Sequence, residues 1–352
     1  MKKIGITTFQ GAYNYGAILQ AYALQKTLSD IGNDVKIINY YNENIYDQYR
    51  TFRKKHHGLS SAIKIFIYDV YLWSIKSRRN KNFKKFISDN INLTDKKYEK
   101  AEIEKMAFDV IVTGSDQVWN KNITSGLDDI YTLNIENSAK KISYAVSIGD
   151  NKILEDNKSE YKEKLQKLDL ISVRETSTKP ILEKVINRKV DVVLDPTLLR
   201  TKEEWLKIVG DKPLKAGKYI FAYSVGKGSD EFYKKAEDLA KKTGLEIIYF
   251  EETRFKRFNT KSKNMYSAGP SEFLNLLYFS EYVVTSSFHG LAFSTIFNKN
   301  VSVIFSNKSE RLKTLMDTVG LKTENNSDWD SINKKLKEAR KKSLKWLEEA
   351  VK

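Results

Sequence analysis

Glu281-Tyr282-Val283-Val284-Thr285-Ser286-Ser287-Phe288-His289-Gly290-Leu291-Ala292-Phe293-Ser294-Thr295-Ile296-Phe297-Asn298 is the stretch whose reading decides the fold. Tyr282 to Thr285 is apolar and β-branched with no helical period, which predicts a short buried strand. From about Gly290 the pattern becomes helical. Ser286, Ser287, Phe288 and His289 then form a tight turn from strand into helix. In an open α/β sheet such turns bind anions, because the free N–H groups and the dipole of the helix N-terminus favour negative charge. Histidine adds a group that moves protons near neutral pH. The bland alternative is a satisfied polar residue in a buried turn. Elimination favours the functional reading: the other histidines are the adjacent pair His56 and His57 in a basic segment, and there is no cysteine.

Working outward, the chain of 352 residues predicts two domains. Its composition, 41% hydrophobic and 30% charged, is that of an ordered globular protein. Absence of cysteine excludes disulfides, thiolate nucleophiles and Cys-ligated zinc, and three histidines argue against a multi-His metal site. A formal charge of +16 calls for an anionic partner, either a phosphorylated metabolite, nucleic acid or an acidic membrane surface. The alternative is lysine spread over solvated faces. The opening apolar run, Ile4 to Phe9, is too short for a signal peptide. No stretch approaches the ~20 apolar residues of a membrane span. A cytoplasmic protein is expected, with peripheral contact at the inner membrane face as a further option.

Lys3 to Thr8 reads as a first strand, Ala17 to Ile31 as a helix and Val35 to Tyr40 as a second strand. Gly11 and Gly16 have phosphate-loop spacing, but Ala17 stands where the lysine belongs, so they read as turn glycines that leave room for something to approach the backbone. Residues 45–92 break the alternation. They are rich in Tyr, Phe, Lys and Arg and read as two or three amphipathic helices inserted in the first domain. They would either dock on an acidic membrane or cover the sheet with a solvated basic side. Strands are then expected at Phe108 to Thr113, Lys141 to Ser147, Leu170 to Val173 and Asp191 to Leu194, with polar groups at their C-terminal ends. The second α/β set has strands at Tyr219 to Val225, Leu245 to Phe250, Tyr282 to Thr285 and Val301 to Phe305. Its helix from Ser271 to Phe279 is expected to be capped by Ser271. The expected domains are 1–200 and 201–326, with the boundary near Asp195 to Lys218, and a charged helix over 327–352 that crosses back to the first domain.

Five segments together carry a resemblance. They are Gly5-Ile6-Thr7 with Asn14 to Leu24, Asp109 to Asn120, Ile171-Ser172-Val173-Arg174-Glu175, Val193-Leu194-Asp195-Pro196-Thr197-Leu198-Leu199, and Ser287-Phe288-His289-Gly290. In this order the chain resembles the polysaccharide pyruvyl transferase family from the first strand to about Leu321. The resemblance implies two Rossmann-like doubly wound domains facing across a cleft, as in GT-B glycosyltransferases. It implies transfer of pyruvate from phosphoenolpyruvate to two hydroxyls of a sugar in a cell-surface or exopolysaccharide precursor, giving a cyclic ketal, with the first domain on the acceptor side and the second on the donor side.

That chemistry protonates an enol ether, stabilises a cationic carbon and releases phosphate. Arg174 is the expected guanidinium for the donor's anionic groups, or else half of a domain-closing ion pair, for instance with Glu175. His289 is expected to contact phosphate and deliver the proton, with Ser286, Ser287 and Gly290 in the donor loop. Asp116 is the candidate base, with an N-cap or turn carboxylate as its bland alternative. Asn14, Tyr15 and Gln117 would hydrogen-bond sugar hydroxyls, and Trp119 would stack on a sugar or else sit in the core. No metal or cofactor is expected. Phosphoenolpyruvate is the donor substrate, the saccharide acceptor is free or lipid-linked, and nucleic acid is not expected. Asp328-Trp329-Asp330 fits a helix cap better than a metal site. The competing readings are a GT-B glycosyltransferase using a nucleotide sugar, for which no acidic residue is placed to hold a ribose, and a non-catalytic RNA- or membrane-binding protein that exploits the charge.

Overall fold

The computed structural model describes residues 1–54, 59–305, 310–324 and 328–352. His56, His57 and Lys55 of the basic segment lie outside them. The chain divides into two compact units. Unit 1 comprises Met1–Tyr46, Ser88–Arg200 and Lys334–Lys352, and unit 2 comprises Asp47–Ile87 and Thr201–Asn333.

Unit 1 is built on six parallel strands: β1 (Lys3–Thr7), β2 (Asp34–Ile37), β3 (Val110–Asp116), β4 (Lys140–Val146), β5 (Leu170–Val173) and β6 (Asp191–Val192). Their order in the sheet is β2-β1-β3-β4-β5-β6. Ile4, Ile6, Val110, Ile111, Val112 and Ile142 are fully buried, as expected for a parallel sheet covered on both faces. The chain winds one way from β1 to β2 and the other way from β3 onward. The switch point, where open α/β sheets bind ligands, therefore lies at the C-terminal ends of β1 and β3. β3 runs on through Gly114, Ser115 and Asp116, three residues beyond the expected strand, so the polar residues expected at its C-terminal end are part of the strand itself. The helix Tyr15–Asp30 is capped by Asn14, whose side chain accepts from Gly16 N and Ala17 N. Gly11 is indeed closely approached, but by the protein: a Cβ there would lie 2.2 Å from the Tyr46 ring, and Gly11 N donates to the Tyr46 hydroxyl.

The final helix, Trp329–Ala350, returns to unit 1 from Lys334 onward. Trp346 Nε1 donates to Asp191 at 2.9 Å, Ser343 Oγ accepts from Leu194 N at 3.0 Å and Arg340 donates to Leu198 O at 2.8 Å. Asp328 accepts from Ser331 N at its start, which is the capping role read from its sequence.

Unit 2 has five parallel strands: β7 (Tyr219–Tyr223), β8 (Glu246–Tyr249), β9 (Ser262–Asn264), β10 (Tyr282–Thr285) and β11 (Asn300–Val303), in the order β11-β10-β7-β8-β9. The short edge strand β9 carries no apolar alternation and was not expected. Here the winding reverses between β7 and β10, so this unit's switch point lies at Ser224 and Ser286. The helix Pro270–Tyr278 is capped by Gly269, not Ser271. Glu272 reaches back to accept from Gly269 N at 2.6 Å, and proline occupies the first helical position, where no N–H is needed.

The segment expected as an insert of the first domain differs in two ways. It forms a short helix, Glu43–Asp47, and then one helix of 32 residues, Leu59–Asn90. From Asp47 to Ile87 it belongs to unit 2. The long helix buries Asp69, Leu72, Lys76, Arg79, Phe83 and Phe86, a stripe with steps of three and four. Asp69 is held by Arg53 at 2.6 Å and by Lys76 at 2.8 Å. Burial alone would raise its pKa. The hydrogen bonds from Arg53 and Lys76 outweigh that and hold the carboxyl below its ordinary value. A depressed pKa stabilises the fold above the unfolded pKa, about 3.9, and the contribution disappears as pH falls through the lower folded value. Asp69→Ala leaves buried Lys76 with only the more distant Glu252, at 3.9 Å, among its ion-pair partners in the described residues, so it should cost about 3 kcal/mol in urea unfolding at neutral pH. A change below about 1 kcal/mol would mean that the helix is held by its apolar residues alone.

Candidate functional site

Each unit carries a polar cluster at its own switch point. In unit 1, Gln20 links the two strands that flank it. Its Nε2 donates to Thr8 Oγ1 at 2.7 Å and its Oε1 accepts from Ser115 N at 3.1 Å. Ser115 Oγ donates to Ala145 O at 2.6 Å and lies 3.2 Å from Asp195 Oδ2. Asp195 caps the helix Pro196–Leu199, its Oδ1 accepting from Thr197 N and Oγ1, and its Oδ2 accepts from Arg174 Nη1 at 2.6 Å.

Arg174, expected at a strand end with its charge toward a donor, is buried among three carboxylates. Besides Asp195 these are Asp116 at 3.5 Å and Glu175 at 3.6 Å. Burial would lower the guanidinium pKa, but Asp195, Glu175 and Asp116 together raise it. The Glu175 pairing weighed from sequence is present, though Asp195 is the close partner, and all three carboxylates belong to unit 1. Asp116 is not an N-cap. It ends β3 at φ +68°, and Ala145 on the neighbouring strand has φ +48°. Two non-glycine residues in the left-handed region side by side are an unusual local cost, of the kind that collects at functional sites. The helix after Asp116 is capped by Asn120 instead.

Among the expected acceptor residues, Asn14 spends its carbonyl oxygen capping a helix, and Tyr15 is buried. Gln117 is half-buried, and its Oε1 accepts from Asn120 at 2.9 Å. Trp119 is a core residue. It is wholly buried and donates from Nε1 to Tyr131 O at 2.9 Å, so its ring is no stacking platform.

In unit 2 the expected turn forms with its helix starting two residues early, at Phe288. Ser287 is the N-cap, and its side chain accepts from Gly290 N. Thr285 Oγ1 accepts from Ser287 N at 3.0 Å and donates to Tyr223 O at 2.7 Å. Ser286 Oγ and Ser224 Oγ lie 3.0 Å apart across the switch point. His289 sits in the first helical turn and is buried, its ring edge-on to Phe288. The turn therefore combines helix-terminal N–H groups, the half-buried Ser286 hydroxyl and an imidazole, which is an arrangement suited to an anion and a proton.

Asp195 and Gln20 were the residues missed as site components. Asp195 falls at the start of the expected domain boundary, although Asp before Pro is also an N-cap signal. Gln20 lay among helix-spaced apolar residues, where a buried amide is the available clue.

The two switch-point clusters on doubly wound parallel sheets define a GT-B-type protein. Solved structures agree at the level of fold. An alpha-glucosyltransferase bound to UDP and a 13-mer DNA superposes with TM-score 0.54 at 11% identity, over 98% of this chain and 95% of that one. An alpha-glucosyltransferase with UDP-glucose and DNA containing an abasic site gives 0.52 at 11% identity, over 98% and 95%. No curated protein matches the chain. The sequence profile of the polysaccharide pyruvyl transferase family matches residues 14–309, and the chain belongs to that family. Membership marks it as a transferase of polysaccharide biosynthesis.

Gly290 sets the closeness of the Phe288–Ile296 helix to β10. A Cβ there would lie 2.3 Å from Thr285 Oγ1, which is pinned by two hydrogen bonds. Gly290→Ala should therefore cost about 1–3 kcal/mol in chemical denaturation. Wild-type stability in that variant would show that the turn relaxes to admit a methyl group.

Proposed function

We propose that the protein transfers the pyruvyl group of phosphoenolpyruvate to two hydroxyls of a sugar residue, forming a cyclic ketal. The observation that carries the reading is the Ser286-Ser287-Phe288-His289-Gly290 turn, a capped helix N-terminus with a buried imidazole in its first turn, in a member of this family.

In this reading the helix-terminal N–H groups and the Ser286 hydroxyl of unit 2 are the candidate partners of the donor's phosphate, and Arg174 of unit 1, which Asp195 anchors, is a candidate partner for an anionic group of the substrates. His289 delivers a proton to the enol methylene, which becomes the methyl group. Carbon 2, now cationic, is attacked by the first sugar hydroxyl. The carbon–oxygen bond to phosphate then breaks, and the second hydroxyl closes the ring. The balance needs no other reactant: one hydroxyl proton ends on the methyl carbon and the other on phosphate. Asp116, half-buried and held by Arg174 at 3.5 Å, is the proposed acceptor of the attacking hydroxyl's proton. The acceptor is a saccharide of a cell-surface polymer precursor, free or lipid-linked.

Thermal-shift binding tests the donor first. Phosphoenolpyruvate at a hundred times its dissociation constant should stabilise the folded protein by about 2.7 kcal/mol. Arg174→Lys, which keeps the charge and loses the planar fork, should reduce that shift. Stabilisation by a nucleotide sugar and not by phosphoenolpyruvate would replace the donor. With a competent acceptor, His289→Ala should lower turnover about 10²–10⁴-fold while the protein melts as wild type. Near-normal turnover would remove the histidine from the chemistry.

A further inference from the structure

The Leu59–Asn90 helix reverses the usual distribution of polarity over its first half. Its inward stripe carries buried Asp69 and Lys76, with Arg79 stacked 4.3 Å from the Tyr266 ring and donating to Tyr266 O. Its outward face carries Ile63, Phe66, Ile67, Val70 and Trp73, each between 51 and 61% exposed. These residues recur at three- and four-residue steps, so they form one stripe opposite the buried one. Phe255, 65% exposed, extends the patch from a neighbouring loop. It lies 6.1 Å from the Tyr71 ring, and Arg254 ties that loop to Tyr71 O and Ser74 Oγ of the helix. A contiguous apolar patch presented this way marks an interaction surface.

What covers it is indicated by charge. Continued along the helix, the same outward face changes from apolar to basic with exposed Arg78, Lys81 and Lys84. Exposed Lys64 flanks the apolar half. From residue 61 to 88 the sequence has one acidic residue, Asp69, and that one is buried. An apolar stripe that runs into a basic one matches the interface of an anionic bilayer, where side chains enter the acyl boundary beside phosphate headgroups. Trp73 sits where the two halves meet, a position that suits an indole at headgroup level. No helix among the described residues is long and apolar enough to cross a membrane. We propose that the outward face of this helix, together with Phe255, docks the protein on the surface of an anionic lipid bilayer.

The test is co-sedimentation of the full chain with phosphatidylglycerol/phosphatidylcholine vesicles and with phosphatidylcholine vesicles alone. Wild type should bind the anionic vesicles at least tenfold more tightly, with a blue-shifted tryptophan emission that Trp73→Phe abolishes. Phe66→Ser/Ile67→Ser alters exposed side chains only, so it should melt as wild type and lose at least tenfold in binding. Arg78→Ala/Lys81→Ala/Lys84→Ala should bring anionic vesicles down to the level of phosphatidylcholine. The proposal is overturned if wild type does not sediment with either vesicle, or if both variants bind as wild type does. It is equally overturned if wild type forms a dimer that Phe66→Ser/Ile67→Ser breaks and ignores vesicles, because a second copy then covers the face.

Discussion

The organisation of unit 1 at its functional edge depends on one buried carboxylate, that of Asp195. One of its oxygens fixes the start of the Pro196–Leu199 helix through Thr197. The other holds the Arg174 guanidinium at 2.6 Å and lies beside Ser115, where β3 ends. A buried guanidinium is tolerable only with a close counter-charge, and a lone carboxylate at that depth would be as costly. Each group therefore makes the other possible. Through them the ends of β3, β5 and β6 are fixed against one another. Asp116 takes its place from this framework, because its closest ionic contact is the guanidinium that Asp195 holds.

Unit 2 solves the corresponding problem without charge. Its switch point is closed by hydroxyls: Thr285 braces the turn, Ser287 caps it and Ser286 meets Ser224. Neutral groups leave the helix-terminal N–H groups as the principal source of positive potential there. A site with an internal carboxylate would oppose an incoming phosphate. The two clusters thus differ in kind, one ionic and one made of dipoles.

Much of this was legible in the sequence wherever local chemistry decides. The strand-turn-helix at residues 282–296 was read with an error of two residues at the helix start, because apolar runs and serine caps act over a few positions. The repeated strand ends with polar groups were legible for the same reason. What was not legible depends on partners distant in the chain. Trp119 was ambiguous between sugar platform and core until Tyr131 O was seen to take its N–H. Gly269, with no side chain to announce it, displaced Ser271 as a cap because Glu272 could reach back to its N–H. The long helix reads as several because charges interrupt its buried stripe and its outward face changes from apolar to basic, so neither face keeps one period. Its assignment to unit 2 rests on contacts such as Asn82 with Ser267 and Tyr68 with Glu252, which no local pattern announces.

The division of the chain also orders the protein's assembly in time. Unit 1 is drawn from three separated segments and unit 2 from two, so neither is a continuous stretch of polypeptide. On the ribosome, β1 to β6 are complete by residue 192, yet the groups that cover Asp191 and satisfy Leu194 N come from residues 343–346. All of the second sheet is synthesised in between. The first sheet must therefore wait, with one flank uncovered, while its neighbour is made, and that exposed interval is when association with other chains or with a chaperone competes with folding. A gene fragment cut at the apparent boundary near residue 200 would freeze the chain in that interval, with two of unit 1's three segments and without the Lys334–Lys352 segment that completes it.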